Sequence, residues 1–113
     1  MRIRNNPNAL GIIKQYGEIV IFHPGEYKGN WKEYFAKKDG NKGDAPIHVE
    51  LGMGRGKFIS TQGLLNRDIN FIGIDLRHEV VLSALEKVLE KELLNVLLLP
   101  YNILNLEDVF ETS

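Results

Sequence analysis

The sequence predicts an α/β fold: half of a doubly wound parallel sheet, with strands in the order 3-2-1 and an N-terminal arm. Three observations carry this expectation. Apolar strand patterns at residues 47–51 (I-H-V-E-L), 70–76 (N-F-I-G-I-D-L) and 95–99 (N-V-L-L-L) alternate with helical patterns at 57–65 and 79–94. A glycine-rich turn, L-G-M-G-R-G, joins the first of these strands to the first helix. An acidic residue, Asp75, stands at the end of the second strand. Parallel strands linked by right-handed helical crossovers build one Rossmann-like half-sheet.

The elements follow in chain order. Residues 1–36 form the arm. Within it, E-I-V-I-F at 18–22 reads as a short strand, stopped by Pro24 and Gly25. Residues 30–36 read as a short helix with Asn30 as N-cap and Trp31, Tyr34 and Phe35 on one side. That aromatic cluster suits core or lid packing better than a base-stacking platform. The tract K-K-D-G-N-K-G-D-A-P at 37–46 reads as a surface linker, and residues 47–113 form the sheet domain. In the latter, 70–76 is a near-continuous apolar run, as a central parallel strand requires. The helix at 79–94 buries a stripe of Val81, Leu82, Leu85, Val88 and Leu89, while Glu86, Lys87, Glu90 and Lys91 face water. Gly63 weakens the helix at 57–65 by about 1 kcal/mol relative to alanine. Pro100 ends the third strand, and 106–111 reads as one more helical turn.

Composition narrows the functional classes. A chain of 113 residues allows one modest domain, and its net charge of −1 argues against binding nucleic acid through bulk charge. With no cysteine there is no disulfide framework and no cysteine-built metal site, and His23, His48 and His78 show no metal-ligand spacing. No apolar run is long enough to cross a membrane, and the start M-R-I-R-N-N-P-N lacks the apolar core of a signal peptide. The expected location is the cytoplasm.

The glycine turn carries the chemistry. Glycines let the backbone approach a ligand without Cβ clashes and aim free N–H groups at it. Asp75 lies 19 residues past Gly56, the spacing at which a carboxylate meets ribose hydroxyls. A dinucleotide site would read G-x-G-x-x-G. Here the glycines are Gly52, Gly54 and Gly56, with Lys57 where the last glycine would stand. Glu50, two residues before the first glycine, would repel a pyrophosphate but suits a cationic ligand without phosphate, such as S-adenosylmethionine. Blander readings remain beside these: Asp75 as a helix cap, Glu50 as a solvent-facing strand residue, and the triplet as a tight turn.

Taken together, V-E-L-G-M-G-R-G-K-F-I-S, N-F-I-G-I-D-L-R and N-I-L-N-L-E-D-V-F, in this order and spacing, resemble bacterial tRNA (guanine-N7-)-methyltransferases. The R-I-R start and Y-K-G-N-W-K-E-Y-F in the arm resemble that family's opening. The resemblance implies a class I methyltransferase fold, S-adenosylmethionine as cofactor and tRNA as substrate. By that resemblance Glu50, Gly52, Gly54 and Gly56 hold the amino-acid part of the cofactor, and Asp75 takes the ribose hydroxyls. Asn102 contacts the adenine amino group, and Leu76 and Ile103 flank the ring. Ile103 departs from the smaller residue more usual there. The family's second half, with an S-D-P-W-P-K-K-R-H-type motif and a T-D motif, has no counterpart in this sequence, so no catalytic residue can be named. Without a fourth strand, Ile47–Leu51 becomes an open sheet edge, through which the chain is expected to self-associate or else be marginally stable. Two alternatives to the enzyme half stay open. One is a non-catalytic nucleoside-binding module that needs a partner chain. The other is a dinucleotide-binding fragment, disfavoured by Glu50 and Lys57.

Overall fold

A computed structural model describes residues 7–39 and 44–111. Three strands, β1 (Ile47–Leu51), β2 (Asn70–Ile74) and β3 (Val96–Leu99), form one parallel sheet in the order β1-β2-β3, which is the expected order counted from the opposite edge. Among the described residues, four helices surround it: α1 (Ala9–Ile13), α2 (Trp31–Asp39), α3 (Lys57–Leu65) and α4 (His78–Glu90). Short 3-10 segments occupy Pro24–Tyr27 and Ile103–Asp108.

Strand alternation divides the core in two. Phe71, Val96 and Leu98 point to the face covered by α1, α3 and α4, where they meet Ile13, Ile59, Val81, Leu85 and Val88. Ile72, Ile74, Leu97 and Leu99 point to the other face and meet Trp31, Phe35 and Val109. Every residue of β2 and β3 is buried, which explains their unbroken apolar runs.

The arm is woven into this core. Ala9 and Ile13 of α1 are buried in the α4-side cluster, and Trp31 and Phe35 of α2 in the opposite one. Trp31 also donates its indole N–H to the Val109 carbonyl at 2.9 Å, fastening α2 to the segment that follows β3. The aromatic cluster is therefore core packing, with Tyr27 and Phe110 completing it.

Several boundaries differ from the expectation. Residues 18–22 do not form a strand; a single parallel bridge joins Val20 to Leu98. Its bonds, Ile21 N–H to Leu98 O and Leu98 N–H to Ile19 O, both 2.9 Å, cap the outer edge of β3 before the chain turns away at Pro24. Helix α2 runs to Asp39, into the segment 37–46 expected as a linker, of which residues 40–43 lie outside the described ones. Helix α4 stops at Glu90 rather than at residue 94, because Glu92 takes a positive φ of 53° and Leu93 folds back to bury itself. Leu89, at the margin of the buried arc, stays 39% exposed, whereas Val80 and Ala84 join that arc. The last turn is 3-10 over Ile103–Asp108 and not a helix over 106–111. Among the described residues nothing pairs with the outer edge of β1.

Candidate functional site

The glycine loop begins where β1 ends. Gly52, Gly54 and Gly56 adopt φ of 76°, 57° and 79°, a region open to glycine and strained for other residues. Gly52 N–H donates to the Ile74 carbonyl at 2.8 Å, so the turn starts from a fixed ladder position. At Gly56 a second constraint applies, since a Cβ there would lie 2.5 Å from the Cα of Ala84 on α4. The loop is held from outside as well. The Arg55 carbonyl accepts from the Ser83 hydroxyl (3.0 Å) and from the Lys87 ammonium (2.9 Å). Lys87 is thus drawn over the loop instead of facing water, and burial lowers its pKa.

Asp75 follows β2 and is only 4% exposed. One carboxylate oxygen, Oδ2, accepts from Met53 N–H (3.1 Å) and Arg77 Nη2 (3.0 Å). The other, Oδ1, accepts from Arg77 N–H and Arg77 Nε, both at 3.0 Å. Burial pushes this carboxyl up, but the bonds and charge of Arg77, joined by Met53 N–H, outweigh it and hold the pKa below the ordinary aspartate value. Asp75 therefore bonds the glycine loop and the backbone just before α4, without capping the helix itself.

An open groove of ≈ 430 Å³ lies at the carboxyl ends of the three strands, lined by Gly52, Asp75, Leu76, Arg77, Asn102, Ile103 and Leu104. Five residues singled out from the sequence meet there: Gly52, Asp75, Leu76, Asn102 and Ile103. Leu76, Ile103 and Leu104 present exposed apolar walls. Asn102 caps the 3-10 turn, its side-chain oxygen accepting from Leu104 N–H at 2.9 Å.

Glu50 is not brought to this groove. Strand register sets it opposite Gly73, on the α3 side of the sheet, where it lines a second open groove of ≈ 420 Å³ with His48, Phe58, Gln62 and Phe71. Its Oε1 is buried without a hydrogen-bond partner, and desolvation raises its pKa. Glu50 is thus half-buried in an open groove, while its apolar neighbours Val49 and Leu51 are 41% and 49% exposed. Gly54 and Gly56 shape the loop without lining the first groove.

Sequence reasoning missed Arg77, Met53 and Leu104. The first had a legible signal: Asp75 and Arg77 carry opposite charges two residues apart at a strand end. Met53 had none, because only the folded loop shows that its N–H reaches Asp75 while its sulfur packs against Gly73.

The family described as "Putative methyltransferase" matches residues 44–113. A tRNA (guanine-N(7)-)-methyltransferase of Bacillus cytotoxicus is 48% identical over 99 residues, covering 88% of this chain and 43% of the relative. Proteins of the same name from Geobacillus sp. (strain WCH70) and Bacillus subtilis (strain 168) are 46% and 43% identical, covering 97% and 98% of this chain and 47% and 49% of their own lengths. The chain thus spans about half the length of the curated relatives it matches. With a parallel sheet of the right order, a glycine loop after β1 and a match over residues 44–113, the chain belongs to this methyltransferase family.

Proposed function

We propose that the chain is the cofactor-binding half of an enzyme that methylates N7 of a guanine in tRNA, with S-adenosylmethionine as methyl donor. Family membership implies a methyl-donor cofactor; the names of the relatives supply the base, the atom and the tRNA. The observation that carries the proposal is the groove at the strand ends, where Gly52, Asp75, Leu76, Asn102 and Ile103 converge.

The residues present fit an adenosine group. A carboxylate suits a ribose diol, which offers two donors. Apolar Leu76 and Ile103 suit a flat base. The Asn102 oxygen spends one lone pair on Leu104 N–H and keeps another for an amino group. The second groove fits the other end of the ligand: a buried, unpartnered carboxylate oxygen on Glu50 suits an ammonium. When bound, S-adenosylmethionine supplies an electrophilic methyl group. Guanine N7 already carries a free lone pair, so orientation is most of what the protein must add. By the family resemblance, the groups that present tRNA lie in the part of the relatives that this chain does not span, and no residue of this chain is given a catalytic role. With tRNA as its substrate, the protein is expected in the cytoplasm.

Titration calorimetry with S-adenosylmethionine and with NAD tests the cofactor, and methyl transfer to unmodified tRNA tests the activity. Preference for NAD would overturn the assignment. Glu50→Gln gives a sharper check. It removes a half-buried charge with an unpartnered oxygen, so the melting temperature should rise, while affinity for S-adenosylmethionine should fall at least about tenfold. A variant that binds as well as the parent would remove Glu50 from the site.

A second proposal rests on the open edge of β1, where Val49 and Leu51 stay exposed. An unpaired edge with apolar neighbours favours strand addition. The 113-residue chain is expected to self-associate through Ile47–Leu51, so light scattering should return a mass above that of a monomer. A stable monomer with a high melting temperature would refute this.

A further inference from the structure

The hydrogen bonds of Asp75 set a condition on any ligand that uses it. A carboxylate has about four acceptor positions, and all four are taken. Two of the donors are backbone groups. Met53 N–H sits in the glycine loop, and Arg77 N–H stands at the residue that precedes α4. Both are fixed by the fold, and moving either would disturb the loop or the helix start. The other two donors, Nε and Nη2, belong to the Arg77 side chain, one on each carboxylate oxygen.

That side chain is 65% exposed while its carboxylate partner is almost wholly buried. The guanidinium therefore approaches from the solvent side, and Arg77 is itself among the groove-lining residues. A ribose diol brings two donors to the same two oxygens. It matches the guanidinium in number of hydrogen bonds, and the two cannot be accommodated together.

We propose that Arg77 is a specificity-determining residue of the ribose subsite: its guanidinium occupies the positions on Asp75 that a ligand diol takes, and the two exchange. This rests on the reading of the groove as an adenosine site. Exchange conserves hydrogen bonds, two N–H for two O–H, and releases an arginine that water solvates readily. It makes a diol the admission requirement, because a ligand without both hydroxyls cannot replace both bonds. It also keeps a buried carboxylate paired when no nucleoside is bound, where an unpaired charge would be costly.

The test is calorimetric titration of the 113-residue chain with S-adenosylhomocysteine. Wild type is compared with Arg77→Ala and with Arg77→Gln, which keeps much of the side chain and one donor group should the alanine variant fold poorly. Because Arg77 competes with the ligand, its loss should tighten binding about fivefold, the scale of a solvent-facing ion pair. The gap should narrow as salt rises, since screening weakens the competing pair in wild type alone. The same gain should appear with adenosine and be absent with 2′,3′-dideoxyadenosine. If wild type binds and the variants bind equally or more weakly, Arg77 is not a competitor and the proposal fails, with the adenosine site intact. A gain of equal size for the dideoxy compound would assign the effect to space in the groove and likewise overturn it. If no form binds S-adenosylhomocysteine, the adenosine site itself falls, and the proposal with it.

Discussion

Gly56→Ala is expected to lower the melting temperature by at least about 12 °C. Two costs add at this position. An alanine at φ 79° is strained by about 1–2 kcal/mol. Its Cβ would also stand 2.5 Å from the Ala84 Cα and 2.6 Å from the Ala84 Cβ. Those are atoms of a helix axis and cannot rotate away, so α4 must shift against the sheet, an overpacking cost of about 1–3 kcal/mol. The sum, about 3 kcal/mol, is a large part of a small domain's stability, and each kcal/mol moves the midpoint by about 4 °C or more at this size. Gly54→Ala is the matched control. Its φ is 57°, but no atom lies within 4 Å of the added Cβ, so only the conformational cost of about 1 kcal/mol applies. Thermal melts of the two variants separate backbone strain from close approach. Equal shifts would mean that α4 yields to the loop, and that the contact with Ala84 does not set the position of the glycine turn.

The contrast between these glycines marks what could be read in advance. The order of strands, the helix at Lys57–Leu65 and the place of Asp75 at the end of β2 follow from local pattern, because periodicity and glycine placement are properties of neighbouring residues, whereas Asn102 is singled out only through the family resemblance. The need for glycine at position 56 is half local, a turn, and half distant, a helix 28 residues away. Glu50 shows the same limit. Alternation says that it faces away from Ile47, Val49 and Leu51, but only the sheet register and the placing of α3 show that this direction leads under Phe58 and Gln62 instead of into the groove of Asp75. In β1, the apolar residues at 49 and 51 are exposed, as is His48. An edge strand breaks the rule that apolar positions point to a completed core. The arm was misjudged for a related reason. Its strand pattern at 18–22 is real, but the chain has room for one bridge to Leu98 before Pro24, so propensity yields to the geometry of the sheet edge.

Asp75→Ala should affect binding and stability together, and pH separates the two effects. For binding, loss of the acceptor for a diol should weaken S-adenosylmethionine at least about tenfold, or ~1.4 kcal/mol. For stability, the N–H of buried Met53 loses its acceptor, a cost of about 1–3 kcal/mol. The acid dependence follows from the direction of the pKa shift. Asp75 titrates lower in the folded chain than in the unfolded one, so the unfolded chain binds the proton more readily. Its contribution is fully present above the ordinary aspartate value, about 3.9, and is lost as pH falls from there through the depressed folded value. Denaturant melts across this window should show wild type losing stability faster than Asp75→Asn, which keeps the side-chain shape and one acceptor oxygen without the charge. Glu50 runs with the opposite sign, because desolvation raises its pKa and its cost to folding is relieved as acid is added. A double variant, Glu50→Gln with Asp75→Asn, should therefore have the flattest acid profile of the set. Parallel acid profiles for wild type and Asp75→Asn would mean that Arg77 and Met53 do not hold the carboxylate charged in solution, and the ion pair at the groove would have to be abandoned.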